Sequence, residues 1–207
     1  MSTLMLQRIQ VGPWPMNCYL LRCPDTGELA VVDPGADPET ILEAIGDAAV
    51  TSILLTHGHP DHVGALEEVK AATGAPVGVH PADASAWEVE CDFDVHDADA
   101  VSIGDGEVQI VHVPGHTPGS CVLRLGDRAI VGDAIFPGGP GHTSSPAALA
   151  QSLESLARTV FTWPDGTELH PGHGSHTTVG AERASFEAFV AADRAPDLCG
   201  DVTWDHR

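Results

Sequence analysis

The chain has 207 residues, 43% of them hydrophobic, with 30 acidic side chains against nine basic ones and a formal charge of -21. That length and apolar content support a packed core in a single domain over residues 1–207 and exclude wholesale disorder. The acidity repels phosphate backbones and anionic lipid, which speaks against nucleic acid or a membrane as partner; its plain reading is solubility.

No apolar run approaches the roughly 20 residues of a membrane span. The first residues, Met1 to Arg8, lack a basic stretch followed by an apolar one, so no secretion signal is expected. Cys18, Cys23, Cys91, Cys121 and Cys199 are odd in number and hold no C-x-x-C pair. They read as reduced thiols, Cys121 as core, and the expected location is cytoplasmic. Histidine is the unusual component: there are 12, and they cluster.

In chain order, Leu4 to Val11 and Cys18 to Arg22 read as strands broken by Gly12-Pro13-Trp14-Pro15. Leu29 to Val32 is a buried strand ending at Asp33-Pro34-Gly35. Pro38 to Ile45 follows as a helix with Asp37 at its N-cap. Thr51 to Thr56 is a second buried strand, and it runs straight into His57-Gly58-His59-Pro60-Asp61-His62. A helix over Val63 to Ala72, a strand over Val77 to Val79 and a helix over Ala82 to Glu88 come next. Residues 91–99 read as a surface loop. Two hairpins turn at Gly104-Asp105-Gly106 and Gly126-Asp127. A Gly/Pro loop over Pro137 to Pro146, a helix over Ala147 to Val160, a strand over Glu168 to His170 and a helix over Ala181 to Ala192 complete the chain. Strands in runs, with helices between the runs, favour layered sheets with outer helices over a doubly wound sheet.

The chemistry-bearing feature is the set His57, His59, Asp61 and His62 immediately after a buried strand. Side chains two apart in an extended chain project to one side, so His57 and His59 can grip one metal ion. Asp61 and His62 open the following helix and can turn toward a second ion. Imidazole with carboxylate suits zinc, iron or manganese rather than calcium or magnesium. Further candidate ligands stand beside glycine at strand ends: His116 in Pro114-Gly115-His116, Asp133 in Val131-Gly132-Asp133, and His173 in Pro171-Gly172-His173-Gly174. Glycine there lets the backbone approach a ligand cluster closely.

These segments, in this order and spacing and with Val31-Val32-Asp33-Pro34-Gly35 before them, resemble the metallo-β-lactamase fold superfamily, roughly from Asn17 to Phe189. Within it the chain looks like the short hydroxyacylglutathione hydrolases, the glyoxalase II-like group. The resemblance implies an α+β, four-layer αββα sandwich. It implies a first metal on His57, His59 and His116, a second on Asp61, His62 and His173, and a bridge through Asp133. The true β-lactamases of the superfamily lack that aspartate. Two divalent ions, zinc foremost with iron or manganese as alternatives, would lower the pKa of a shared water from 15.7 toward roughly 7. The bridging hydroxide so formed would attack a small-molecule thioester or ester, with Asp61 as the catalytic residue that orients it. Asp33 reads either as a residue fixing a ligand imidazole or as a turn residue.

The group usually carries arginine or lysine after the glycine matching Gly141, but here the residue is His142. It is either a substrate-facing replacement or a neutral loop substitution. Long glyoxalase II enzymes continue into a helical glutathione-holding domain, whereas only 34 residues follow His173 in this sequence. Two related chemistries share the pattern: a persulfide dioxygenase with one iron on the His57, His116 and Asp133 positions, and a lactonase. Tyr19 is the only tyrosine, which removes one that assists catalysis in some lactonases. His80, His96, His112, His170, His176 and His206 receive structural readings.

Overall fold

A computed structural model describes residues 2–205. His206 lies outside the described residues. The chain opens with β1 (Met5–Val11), β2 (Met16–Arg22), β3 (Leu29–Val32), α1 (Pro38–Ile45), β4 (Val50–Leu54), α2 (Pro60–Val63), α3 (Leu66–Thr73), β5 (Val77–Val79), α4 (Pro81–Trp87) and β6 (Phe93–Asp94). It continues with β7 (Ala100–Ile103), β8 (Gly106–His112), β9 (Cys121–Leu125), β10 (Arg128–Gly132), β11 (Ile135–Phe136) and β12 (Gly139–Pro140). It closes with α5 (Pro146–Arg158), a 3-10 turn over Val160–Thr162, β13 (Glu168–Pro171), β14 (Thr177–Thr178) and α6 (Val179–Ala191).

One sheet has the order β1-β2-β3-β4-β5-β6, the other β14-β13-β10-β9-β8-β7. The first begins as antiparallel hairpins and becomes parallel from β3 onward, where α1 and then α2–α3 supply the crossovers. The second is antiparallel except for the β10–β13 pair, which α5 connects.

Period-two burial builds the layers. In β3, Leu29 and Val31 face one side and pack with Ile41 and Val69 of the helices, while Ala30 and Val32 face the opposite sheet. In β10, Ala129 and Val131 pack with Leu153, Leu156 and Phe186 of α5 and α6, while Ile130 meets the first sheet. Three apolar clusters thus separate four layers: helices, sheet, sheet, helices. This is the metallo-β-lactamase fold with the αββα stacking that the resemblance implies. Strands buried on both faces read as unbroken apolar runs, which explains Leu29-Ala30-Val31-Val32.

Local departures have physical causes. The helix expected over Val63 to Ala72 is two pieces, because Gly64 passes so close to Gly35 that a Cβ would lie 2.4 Å from its carbonyl oxygen. Residues 91–99 are not all loop: Phe93 and Asp94 pair with β5, and Val95 is buried between the sheets. The Pro137 to Pro146 stretch folds partly into the β11–β12 ribbon. Asp37 stands at the N-cap of α1, yet its carboxylate accepts from the backbone N of Gly12 instead of capping the helix. Among the described residues all five cysteines are free, with Cys121 buried in the core, and no helix is long and apolar enough to cross a membrane.

Candidate metal centre

Five segments deliver the candidate ligands to one edge of the sandwich. β3 ends at Asp33, β4 leads to His57, β8 to His116, β10 to Asp133 and β13 to His173. β3 and β4 are parallel, as are β10 and β13, and β8 runs in the β10 direction because each is antiparallel to β9. The strand ends therefore converge although they are scattered through the chain.

The side chains form two groups. Nε2 of His57 lies 3.1 Å from Nδ1 of His59 and 3.2 Å from Nε2 of His116, and the last two are 2.9 Å apart. Three nitrogens bound tetrahedrally to zinc at its usual bond length stand about 3.3 Å from one another, so the triangle is of the right size for one ion. Asp61, His62 and His173 make the second group, with Nε2 of His173 3.0 Å from Oδ2 of Asp61. Asp133 stands between the groups: Oδ1 is 3.4 Å from Nε2 of His62, and Oδ2 is 3.9 Å from Nε2 of His116 and 3.8 Å from Nε2 of His173.

A network behind the rings sets their tautomers. Asp33 is fully buried and accepts from the backbone N of Thr56 at 2.7 Å, from the Thr56 hydroxyl at 2.6 Å, and from Nδ1 of His62 at 3.0 Å. Since the Thr56 proton is given to Asp33, its oxygen accepts from Nδ1 of His57 at 3.1 Å. Nδ1 of His116 donates to the carbonyl of His142 at 2.8 Å. His57 and His116 are thereby protonated on the outer nitrogen and turn a lone pair inward, while His62 gives its outer N–H to Asp33 and directs Nε2 at Asp133. Asp33 accepts these bonds from a left-handed φ of 51°, which aspartate tolerates better than most side chains.

The donor set fits divalent metal. Nε2 of His62 and Oδ1 of Asp133 are buried without a hydrogen-bond partner, and such atoms are costly unless something satisfies them. Burial, followed by repulsion among the imidazoles, holds His57 below its ordinary pKa; burial is also the largest cause of the lowering at His59 and His116. These three are available as neutral ligands. For His62, burial opposes the charged form, but Asp133 and Asp33 outweigh it and push the pKa up to about 10. Burial likewise works to raise Asp133, and the contacts with His62, His116 and His173 keep it below the usual carboxylate value. A cation is wanted at the point between His62 and Asp133, and a metal can replace the proton there.

The space is tight as well as charged. A Cβ on Gly172 would lie 2.3 Å from Oδ1 of Asp133 and 2.4 Å from Cε1 of His62, which is why glycine precedes His173. The structure brings all seven proposed ligands together: His57, His59, Asp61, His62, His116, Asp133 and His173. The exposed ring of His142 pairs with Asp201 at 3.0 Å, while its carbonyl accepts from His116. Of the histidines read as structural, His80 and His112 stack on each other, with ring centroids 4.2 Å apart, and His170 pairs with Glu168.

Three supports escape a sequence reading. Thr56 relays Asp33 to His57. Asp83, in the first turn of α4, accepts from the backbone N of Gly58 at 2.9 Å, the Thr117 hydroxyl at 2.8 Å and the backbone N of Gly119 at 2.6 Å, tying the first histidine loop to the His116 loop. Asn17 and Tyr19 on β2 donate to the Pro171 carbonyl at 2.9 and 2.6 Å and hold the His173 loop from the other sheet. A strand-end aspartate leaves a trace in the sequence; an aspartate in the first turn of a helix reads as an ordinary helix-start residue, and a strand tyrosine leaves no trace.

The chain is similar to known proteins in sequence and in fold. Hydroxyacylglutathione hydrolase from Anaeromyxobacter dehalogenans is 40% identical over 175 residues, covering 82% of this chain and 66% of that protein. Hydroxyacylglutathione hydrolase GloC from Haemophilus influenzae is 32% identical over 203 residues, covering 87% and 95%. The crystal structure of ETHE1 from Myxococcus xanthus matches with a TM-score of 0.76 at 28% identity, covering 86% of this chain and 81% of that one. TTHA1623, crystallised in a di-iron-bound form, matches with a TM-score of 0.70 at 31% identity, covering 86% and 96%. Residues 11–181 match the metallo-beta-lactamase superfamily, and the chain belongs to it, as a metallo-hydrolase.

Proposed function

We propose that the protein hydrolyses a small-molecule thioester of the hydroxyacylglutathione type, with two divalent metal ions, zinc foremost, held by the seven ligands. The observation that carries this reading is the pair of complete ligand groups with Asp133 between them. The likeness to two hydroxyacylglutathione hydrolases and to a di-iron protein supports it. When bound, such ions supply an activated water and polarise the carbonyl and the departing sulfur.

The chain's own residues do the rest. His57, His59 and His116 form one holding group, Asp61, His62 and His173 the other, and Asp133 serves both. Asp61, whose side chain is 49% exposed at the mouth, accepts a hydrogen bond from the attacking water and aims its lone pair at the carbonyl carbon. A C–O bond forms and the C–S bond breaks; of the water's two protons one ends on the departing thiolate and the other is released to solvent, which leaves the acid as its carboxylate. Asp33 acts only through His62 and Thr56, as a positioning residue.

The test pairs elemental analysis of purified protein with assays on S-lactoylglutathione, on thioesters of other thiols, and on glutathione persulfide with oxygen consumption followed. Two metal equivalents and thioester cleavage are expected. One iron, oxygen uptake and no thioester cleavage would sink the hydrolase reading in favour of persulfide oxidation. Asp133→Ala is expected to keep its fold by circular dichroism, lose at least one metal equivalent and drop in kcat/KM by more than about 100-fold. Retained activity in that variant would remove the bridging role.

A further inference from the structure

The imidazoles of the two ligand groups are not all held in the same way. His57, His62 and His116 each engage the chain through the outer nitrogen, with the Thr56 hydroxyl, Asp33 and the carbonyl of His142 as partners. His173 is paired with Asp61. His59 differs: among the described residues its only hydrogen-bond contacts are from Nδ1 to the fellow imidazoles of His57 and His116, and its outer nitrogen, Nε2, has no partner. A ligand imidazole normally has its ring orientation fixed through that second nitrogen. A half-buried ring without such a bond keeps the freedom to swing Nδ1 out of the nitrogen triangle.

The indole of Trp87 meets this ring instead. The centroids lie 4.8 Å apart and the planes cross at 76°, an edge-to-face arrangement that aromatic pairs favour at this separation. The other rings against His59 are its fellow ligands, His57 and His116, so Trp87 is the one aromatic contact from outside the ligand set among the described residues.

Trp87 is itself firmly placed. It is the last residue of α4, and Asp83 in the same helix accepts from the backbone N of Gly58 and of Gly119, on the loops of His59 and His116. Gly58 packs on the tryptophan: an added Cβ there would stand 3.1 Å from Cβ of Trp87 and 3.4 Å from its Cγ. The loop that carries His59 and the end of α4 are therefore one packed unit.

Resting on the ligand assignment above, and not on which thioester is cleaved, we propose that Trp87 is the positioning residue of His59. It does by ring contact what Thr56, Asp33 and the His142 carbonyl do by hydrogen bonds, and holds Nδ1 toward the ion shared with His57 and His116. A ring contact needs no donor or acceptor, so phenylalanine replaces tryptophan here and an aliphatic side chain does not.

The test reconstitutes the metal-free protein with cobalt(II), reading affinity by competition with a chromophoric chelator and ligand geometry by the visible absorption of the bound ion. In Trp87→Leu, one metal equivalent is expected to bind about tenfold more weakly, with an altered visible spectrum and the other equivalent unchanged. Trp87→Phe is expected to return that affinity to within about threefold of the parent. Should the leucine variant fail to fold, Trp87→Met takes its place with the same expectation. A lower Tm of the metal-free variant with both affinities and the spectrum unchanged means packing alone and overturns the proposal. So does a phenylalanine variant that binds no better than the leucine one. His59→Ala keeps the two readings apart. Loss of one equivalent there, with both kept in Trp87→Leu, overturns the role of Trp87 alone. Both equivalents kept in His59→Ala overturn the ligand set and the role of Trp87 with it. Absence of thioester cleavage, with the cobalt results as expected, defeats the hydrolase reading and upholds Trp87.

Discussion

Asp33 shows how much one side chain can decide. Its two oxygens accept three hydrogen bonds, two from Thr56 and one from His62, and so orient one histidine directly and another through a hydroxyl. Asp33→Asn keeps the shape but replaces one acceptor by a donor, which must face either the Thr56 backbone N or a proton-bearing partner. The expected outcome is a loss of about 10- to 100-fold in metal affinity, read by competition with a chromophoric chelator, in a chain that still folds. Val31-Val32-Asp33-Pro34-Gly35 marks the end of a strand in the sequence, where Asp33 reads equally as a turn. Its real partners stand 23 and 29 positions away, a distance that no local pattern encodes.

At the scale of an element, α4 is the clearest case. Its seven residues carry Asp83 inward, as the strap between the two histidine loops, and Trp87 against His59. Asp83→Ala leaves the backbone N–H groups of Gly58 and Gly119 buried without an acceptor, while the Thr117 hydroxyl can still turn to Ser120 Oγ at 2.7 Å. At a cost of about 1–3 kcal/mol for each such group, partly relieved by relaxation, a loss of about 3 kcal/mol is expected. That corresponds to a fall of about 6–12 °C in Tm for a chain of this size, measurable by differential scanning calorimetry. The helix itself was legible: the expected Ala82 to Glu88 lies one residue later at each end than the observed Pro81–Trp87. Its function was not, since an aspartate inside a short helix looks like any solvated residue. β6 was hidden for a related reason: its two residues are strand only because β5 lies beside them.

For the molecule as a whole, the pH dependence of the metal-free form follows from opposite shifts in one cluster. His57, His59 and His116 are depressed below 6.5 in the folded state, so the unfolded chain takes up their protons first and stability falls as pH drops below about 6.5. His62 is raised to about 10, so its contribution is complete below 6.5 and is lost as pH climbs from 6.5 toward 10. The metal-free protein should therefore be most stable near pH 6.5 and decline on both sides in a thermal-shift series. With metal bound, Nε2 of His62 needs no proton, and the alkaline decline should disappear. An alkaline decline of equal size in both forms would show that His62 is not a ligand. The formal charge of -21 omits any bound cations, so a negative surface is compatible with a centre that attracts an electron-rich carbonyl.

By itself the sequence determined the layered architecture, through apolar runs of strand length, and it marked the ligands, through histidine and aspartate set beside glycine at strand ends. Both are local: a run of four buried residues or a six-residue motif is complete within itself. Only the tertiary structure decided that the five strand ends meet at one edge, that Asp33 is the shared acceptor behind two rings, and that His142 serves the site through its carbonyl. It alone revealed Asp83 as a strap between the two histidine loops and Trp87 against the ring of His59. Those roles are distances between residues far apart in the chain, and distance across a core is set by packing rather than by any pattern along the backbone.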